Sequence, residues 1–132
     1  NKSILIKKFL NKDYTLENII KSTNGGKVIV KLDIEGGEYS QLESILRQES
    51  KIQCMCIEFH ELDKEENLIA LNKFVRETTL KLIFISINET SLIKGRPNIL
   101  ELSFSGSCCD KLNPSFLQAS SFPGEIECLY FS

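Results

Sequence analysis

The side chains best suited to chemistry are a group of carboxylates and one histidine, and they follow two apolar stretches of the sequence. Asp33 and Glu35 come shortly after the apolar residues 28–30, and Glu58 and His60 end a second apolar stretch. A histidine or a carboxylate can remove the proton of a bound hydroxyl group, and carboxylate oxygens can also bind a divalent cation. These residues therefore suggest acid–base catalysis or cation binding.

The elements that position these groups are two predicted strands whose carboxyl ends are polar. In the predicted strand 27–34, one face is apolar throughout, whereas the other becomes polar at Lys31 and Asp33. The predicted strand 52–60 ends in the same manner, in its glutamate and its histidine. A strand that is covered on both faces is apolar along its length, so polar residues at one end only indicate the rim of a crevice.

A tight turn and a helix connect the two strands. Gly36 and Gly37 allow positive φ angles and a close approach of another group, and apolar side chains lie on one side of the helix that follows. A strand, a helix and a strand in this order form a βαβ unit with parallel strands. Both polar ends then meet at one edge of the sheet. The expected crevice is formed by Lys31, Asp33, Glu58 and His60.

Further helices are predicted on either side of this unit. Residues 3–9 are expected to form a strand, and a short helix is expected to begin at Thr15 and to end at the glycines that follow Asn24. Asp63 with Glu66 predicts a capping box at the start of a longer helix. The buried stripe of that helix is expected to be Leu68, Leu71, Phe74 and Val75.

Two more strands complete the predicted sheet. The strand 80–87 contains four consecutive apolar residues, which predicts an interior position. The connection from it to the strand 99–104 is short, which favours an antiparallel pair.

Composition indicates one domain and excludes several classes of partner. The chain has 132 residues with 42% hydrophobic and 26% charged content, which is ordinary for a globular domain. Its net charge of -2 argues against a nucleic-acid or anionic-membrane surface. No apolar run approaches the length of about 20 residues that spans a bilayer, and the first residues resemble a strand rather than a secretion signal.

The cysteines favour a reducing compartment. There are five, an odd number, and none is arranged as a C-x-x-C pair. With one histidine available, a zinc site of four spaced ligands is disfavoured. We therefore expect reduced thiols in a cytoplasmic protein.

Several segments carry a family pattern. The segment KLDIEGGEY at residues 31–39 resembles the K-x-D-x-E-G-x-E signature of the FkbM-type methyltransferases. TLENII at 15–20 is similar to the family's T-L-D-D-L-L helix, and IEFH at 57–60 is similar to its I-E-x-H strand end. PNILE at 97–101 resembles its last-strand region. Order and spacing agree over most of the chain.

The resemblance implies an α/β fold with a partial Rossmann-like methyltransferase sheet. That sheet is mostly parallel, with an antiparallel last strand and helices on both faces. Residues 1–106 would be the C-terminal half of the domain, with strands in the spatial order fourth, fifth, seventh, sixth. Residues 107–132 would be an irregular tail packed on it. The family's first half, which holds the Gly-rich cofactor loop, is not matched, because the pair at 25–26 precedes a strand instead of following one.

The resemblance also implies roles for the polar residues. The reaction would transfer a methyl group from S-adenosylmethionine to a hydroxyl of a sugar or a secondary metabolite. His60 and Asp33 are the expected catalytic residues, with His60 as the base or as a clamp for the acceptor. The residues expected to contact the cofactor are Asp33, Glu35 and Gly36. The residues expected to bind the acceptor are Lys31, Glu38 and Glu58. We expect the complete domain, and not this chain alone, to bind the cofactor.

Plainer interpretations compete with these roles. In the first, Asp33 and Glu35 cap the next helix, which would account for the acidic turn. In the second, His60 is part of a surface cluster, and in the third, Lys31 forms an ordinary salt bridge.

Two other functions remain open. The first is a non-catalytic α/β interaction module that dimerises or pairs through an open sheet edge. The second is a metal-dependent hydrolase that uses Asp33, Glu35 and Glu38. A cation held by Glu35, Glu38 and Glu58 is a further alternative.

Overall fold

The centre of the structure is a four-stranded sheet with three helices. The structure, a computed structural model, describes residues 10–87 and 92–106. The helices are α1 (Leu16–Lys21), α2 (Leu42–Gln48) and α3 (Glu65–Glu77), and short 3-10 helices span Glu38–Gln41 and Glu49–Lys51. The strands are β1 (Val28–Leu32), β2 (Ile52–Phe59), β3 (Lys81–Ile87), β4 (Leu92–Ile93), β5 (Arg96–Pro97) and β6 (Leu100–Ser105). The predicted strand 3–9 and the tail 107–132 lie outside the described residues.

The sheet has the order β1-β2-β6-β3, and β4 pairs with β5 in a separate ribbon. Strands β1 and β2 are parallel, whereas β6 is antiparallel to both β2 and β3. Three strands therefore point one way and the last strand points the other. This confirms the α/β class, and the strand order agrees with the expected order fourth, fifth, seventh, sixth. The short connection between β3 and β6 produces the expected antiparallel pair.

The parallel pair β1–β2 brings two carboxyl ends to one edge of the sheet. Val30 lies opposite Met55 and Leu32 lies opposite Ile57 in the register. Residues that follow the two strands must therefore emerge side by side. The prediction of a shared edge is confirmed.

All three helices of the described residues pack on one face of the sheet. Leu16 and Ile20 of α1, Ile45 of α2 and Phe74 of α3 join one core cluster with the apolar residues of β1, β2 and β6. The prediction of helices on both faces is not met in residues 10–87 and 92–106. The reason is topological: the crossovers β1–α2–β2 and β2–α3–β3 advance in the same direction across the sheet, and right-handed crossovers of that kind place their helices on one face.

Aromatic residues fill the centre of this core. Phe59, Phe74 and Phe104 are each at most 1% exposed. The ring centroid of Phe74 lies 6.4 Å from that of Phe59 and 5.7 Å from that of Phe104. These contacts tie α3 to β2 and β6, and they anchor the strand that ends at His60.

Helix α1 has Thr15 at its N-cap, as predicted, and is held by the next helical segment. The side-chain oxygen of Gln41 accepts the N–H of Leu16 at 2.9 Å, and Ser44 Oγ accepts the N–H of Glu17 at 2.7 Å. These bonds satisfy two of the N–H groups that a helix start leaves without intrahelical partners. Both side chains are almost completely buried, so α1 and the segment after the acidic turn form one unit.

Two predictions about the elements were wrong. Strand β3 lies at the edge of the described sheet, where Ile85 and Ile87 are 53% and 52% exposed, because β6 inserts between β2 and β3.

Helix α3 has Lys64 at its N-cap without a side-chain capping bond. The N–H of Asp63 instead donates to the side chain of Asn98 at 3.1 Å, so the capping box is not formed.

The buried stripe of α3 is narrower than predicted. Leu71 and Phe74 are buried, whereas Leu68 and Val75 are 40% and 37% exposed. The helix therefore touches the core along a single line of residues. Among the described residues, no helix combines the length and the apolar composition that crossing a bilayer requires.

Candidate functional site

A tight turn after β1 positions the acidic residues. The N–H of Gly37 donates to the carbonyl of Ile34 at 3.2 Å. The two residues between them, Glu35 and Gly36, have φ angles of +51° and +95°, as in a type I′ turn. A side chain at position 36 would also place its Cβ 3.2 Å from Glu61 Oε2. Glycine is therefore required there, and the turn brings the carboxylate of Glu35 back over the end of β2.

The Glu38 carboxylate joins this turn to the end of β2. It is fully buried, and its Oε1 accepts the N–H groups of Ile34 and Gly36, each at 3.2 Å. The same oxygen lies 2.8 Å from Nδ1 of His60. The second oxygen, Oε2, has no hydrogen-bond partner in the described part of the chain. One oxygen atom thus holds both the backbone of the turn and the imidazole ring.

The backbone around His60 is held from two sides. The hydroxyl of Tyr39 donates to the carbonyl oxygen of His60 at 2.5 Å, and its ring packs on Phe59 with centroids 5.9 Å apart. Burial raises the pKa of Tyr39, so its hydroxyl remains a donor. On the other side, the carbonyl of Asn98 accepts the N–H of Leu62 at 3.1 Å.

The imidazole presents its second nitrogen to the remaining carboxylates. Because Glu38 Oε1 is an acceptor, Nδ1 of His60 carries the hydrogen of their bond. Nε2 then faces Glu58 at 3.5 Å, Glu35 at 3.6 Å and Asp33 at 3.8 Å. These separations exceed the usual hydrogen-bond range of about 2.7–3.2 Å. The His60 side chain is 9% exposed, whereas Glu35 is 86% exposed, so the cluster is open to ligands on its outer side.

Negatively charged groups are concentrated around His60, and they shift the pKa of the groups beside them. Burial opposes protonation of His60, but the hydrogen bond to Glu38 and the charges of Glu38, Glu35 and Glu58 outweigh it and raise its pKa. Burial, followed by the charge of Asp33, raises the pKa of Glu58. No lysine or arginine whose side chain the structure describes forms an ion pair with any of these carboxylates.

The structure brings together five of the residues that the sequence singled out. They are Asp33, Glu35, Glu38, Glu58 and His60. Gly36 shapes the turn through its positive φ angle. Lys31 is exposed and lies opposite Cys56 in the sheet, and it is in none of the ion pairs of the cluster.

Three plainer interpretations fail, and the burial of Glu38 does not fit the role expected of it. Glu38 is 0% exposed, and its carboxylate faces the backbone N–H groups and the imidazole. The group of ligand atoms close enough for a cation comprises Asp33, Glu35 and His60 and does not include Glu38. Capping by Asp33 and Glu35 is not observed, since the segments that begin at 38 and 42 have no side-chain capping bond. His60 is buried rather than part of a surface cluster, and Lys31 forms no salt bridge with a described residue.

The sequence reasoning missed two positioning residues. The hydroxyl of Tyr39 holds the carbonyl of His60. Asn98 holds the backbone after His60 through both its carbonyl and its side chain. The only signal in the sequence was that Asn98 lies in the segment 97–101, which resembles the family's last-strand region. Hydrophobic periodicity does not predict side-chain or carbonyl contacts of this kind.

Comparison of the chain with protein-family models, with curated proteins and with solved structures gives no match. The geometry of the cluster and the motif resemblance are therefore the basis for a functional proposal.

Proposed function

We propose that this chain forms the acceptor-side half of an S-adenosylmethionine-dependent O-methyltransferase domain, with His60 as the base that activates the acceptor hydroxyl. The observation that supports it is the Glu38–His60 hydrogen bond of 2.8 Å, with Nε2 directed to the open edge of the sheet. A buried carboxylate on Nδ1 sets the tautomer and orients the ring, which a histidine base requires. The segments that resemble the FkbM-type family and the strand order β1-β2-β6-β3 add to this.

The chemical step would be an in-line displacement. The acceptor oxygen attacks the methyl carbon of the sulfonium, the C–S bond breaks, and the sulfur leaves as a neutral thioether. The hydroxyl proton passes to Nε2 of His60, and Glu38 stabilises the imidazolium through Nδ1–H. The raised pKa of His60 makes it a stronger base, and the protein otherwise acts by positioning the two reactants.

The acceptor is proposed to be a sugar or another compound with several hydroxyl groups. Asp33, Glu35 and Glu58 present carboxylate oxygens around Nε2, and such oxygens accept hydrogen bonds from neighbouring hydroxyls. Asp33 would orient the acceptor or contact the methionine end of the cofactor. Glu35 and Gly36 would lie on the cofactor side, and Lys31 would be peripheral.

The cofactor is proposed to bind only when a second half covers β1. Among the described residues, β1 has a strand neighbour on one side only, which leaves room for the strand that carries the family's Gly-rich loop. The complete domain, a fragment of which this chain would be, is proposed to be cytoplasmic on the basis of its cysteine content.

The test uses the longest gene product that contains this chain. We expect it to bind S-adenosylhomocysteine and to transfer methyl groups, and we expect His60→Gln to lower kcat by about 10²–10⁴-fold while the affinity for S-adenosylhomocysteine stays unchanged. Glu43→Gln is the control, because Glu43 is 82% exposed and lies on α2. Unchanged kcat in His60→Gln would remove His60 from the mechanism. Micromolar binding of S-adenosylhomocysteine by the isolated 132-residue chain would refute the half-site idea.

A non-catalytic interaction module is the second candidate function. Two features support it. Within the described sheet β1 has one neighbour, and Ile85 and Ile87 of β3 are more than half exposed. Unpaired strands recruit other strands, so the module would form a homodimer or pair with another chain. Sedimentation analysis would show a concentration-dependent dimer in this case, whereas a stable monomer would count against it.

A further inference from the structure

The cluster around His60 brings several hydrogen-bond acceptors close together. The His60 side chain is more than nine-tenths buried, and its Nε2 makes no hydrogen bond with a described residue. That nitrogen is aimed at three carboxylates. Because Nδ1 carries the hydrogen shared with Glu38, neutral His60 offers a lone pair at Nε2 to groups that are themselves acceptors.

The charges of the cluster require compensation. Asp33, Glu35, Glu38 and Glu58 carry four formal negative charges, and a protonated His60 supplies one positive charge, which leaves −3. No lysine or arginine whose side chain the structure describes pairs with them, whereas the nearby Glu61 is paired with Lys64 at 2.8 Å. Carboxylates at such distances repel one another, and a bound cation would remove this cost.

The spacing of the atoms fits a metal ion. One ligand atom each from Asp33, Glu35 and His60 lies within 4.8 Å of the others. The distances from Nε2 to the carboxylate oxygens are 3.5, 3.6 and 3.8 Å. Around a tetrahedral ion with bonds of about 2.1 Å, neighbouring ligand atoms lie roughly 3.4 Å apart. The distances from Nε2 exceed this value by only a few tenths of an ångström, and the exposed side chains of Asp33 and Glu35 are able to rotate toward a common centre.

We propose that His60 Nε2, Asp33 and Glu35 bind a divalent transition-metal ion, with Glu58 as an additional ligand. An imidazole nitrogen together with carboxylate oxygens is a mixed donor set that first-row divalent ions accept. Glu38 holds the ring from the opposite nitrogen, the arrangement by which carboxylates orient metal-binding histidines. The exposed side of the cluster leaves coordination positions for water or for an acceptor hydroxyl.

The cation site itself is independent of the proposed function, but its role in activating the hydroxyl rests on that function. A cation bound there would lower the pKa of a hydroxyl coordinated to it. His60 Nε2 would then be a ligand, and the hydroxyl proton would pass to water at the exposed side of the cluster. The two ideas can fail separately. A chain without a cation site retains His60 as a free base, and a cation site can exist without methyl transfer.

The test is a titration of the purified chain with Mn²⁺, followed by electron paramagnetic resonance of the free ion. Mn²⁺ is the probe because the five cysteines would compete for Zn²⁺. The variants are Glu35→Gln and His60→Gln. The matched control is Glu61→Gln, which makes the same charge change beside the turn but is paired with Lys64. Glu35 is 86% exposed, so its substitution should leave folding intact, and circular dichroism checks this for each protein.

We expect one Mn²⁺ per chain, at least tenfold weaker binding in both variants, and a change within about twofold in the control. Mn²⁺ should also raise the Tm of the wild-type chain more than that of Glu35→Gln. Absence of saturable binding would overturn the cation site, and so would equal affinities of Glu35→Gln and Glu61→Gln. Neither of those results would affect the methyl-transfer test, which measures kcat and the affinity for S-adenosylhomocysteine.

Discussion

Replacing Glu38 by alanine tests whether one buried carboxylate holds both the turn and the imidazole. The substitution removes the acceptor of three donors: the N–H groups of Ile34 and Gly36 and Nδ1–H of His60. A buried donor left without a partner costs about 1–3 kcal/mol. Because the turn lies near the surface and water can reach part of it, we take the lower part of that range for each donor. Glu38→Ala should therefore lower the free energy of unfolding by about 3–5 kcal/mol.

Equilibrium urea denaturation, followed by circular dichroism, measures this loss. A domain of ordinary stability has about 5–15 kcal/mol in total, so the variant should unfold at a clearly lower urea concentration. Glu35→Ala is the comparison, because Glu35 is 86% exposed and accepts no backbone hydrogen bond from a described residue. We expect it to change stability by less than about 0.5 kcal/mol. A loss below about 1 kcal/mol for Glu38→Ala would refute the idea that this carboxylate organises the turn.

Other expectations concern the residues that hold His60 and the turn. Tyr39→Phe removes the hydroxyl that donates to the carbonyl of His60 and should cost about 1–1.5 kcal/mol in urea denaturation. Gly36→Ala should lower the free energy of unfolding by about 1–3 kcal/mol, more than Gly25→Ala. Both glycines have positive φ angles, but only a Cβ at position 36 would meet a neighbour, at 3.2 Å. Equal losses of stability in the two variants would contradict a role for that contact. Asn98→Ala should speed amide hydrogen exchange just after His60, and unchanged exchange there would show that Asn98 is dispensable.

The shared edge of the sheet was predictable because strand periodicity alone determines it. The alternation in β1 and β2 placed Asp33 on the polar side of one strand and Glu58 and His60 on the polar side of the other. A parallel pair then had to bring them together. The ion pairs between His60 and both carboxylates confirm that reasoning.

The position of β3 and the role of Glu38 were not predictable by the same means. A run of apolar residues is equally consistent with a central and an edge strand, so the insertion of β6 left Ile85 exposed without any local signal. Glu38 belongs to a turn in which Glu35 and Gly36 both have positive φ angles. Two consecutive residues of this kind reverse the direction of the chain. The side-chain periodicity of a strand or a helix therefore does not predict that the Glu38 side chain points inward.

The two sides of the imidazole differ in how far they can change without loss of the fold. On the Nδ1 side, Glu38 satisfies backbone donors of the turn as well as the ring, so a change there alters the fold and the site together. On the Nε2 side, Asp33 and Glu35 are 41% and 86% exposed, and among the described residues their ion pairs are with His60 alone. Their substitution should change ligand binding at little cost in stability. The orientation of His60 is therefore a property of the fold, whereas the identity of the ligand is decided by the exposed carboxylates.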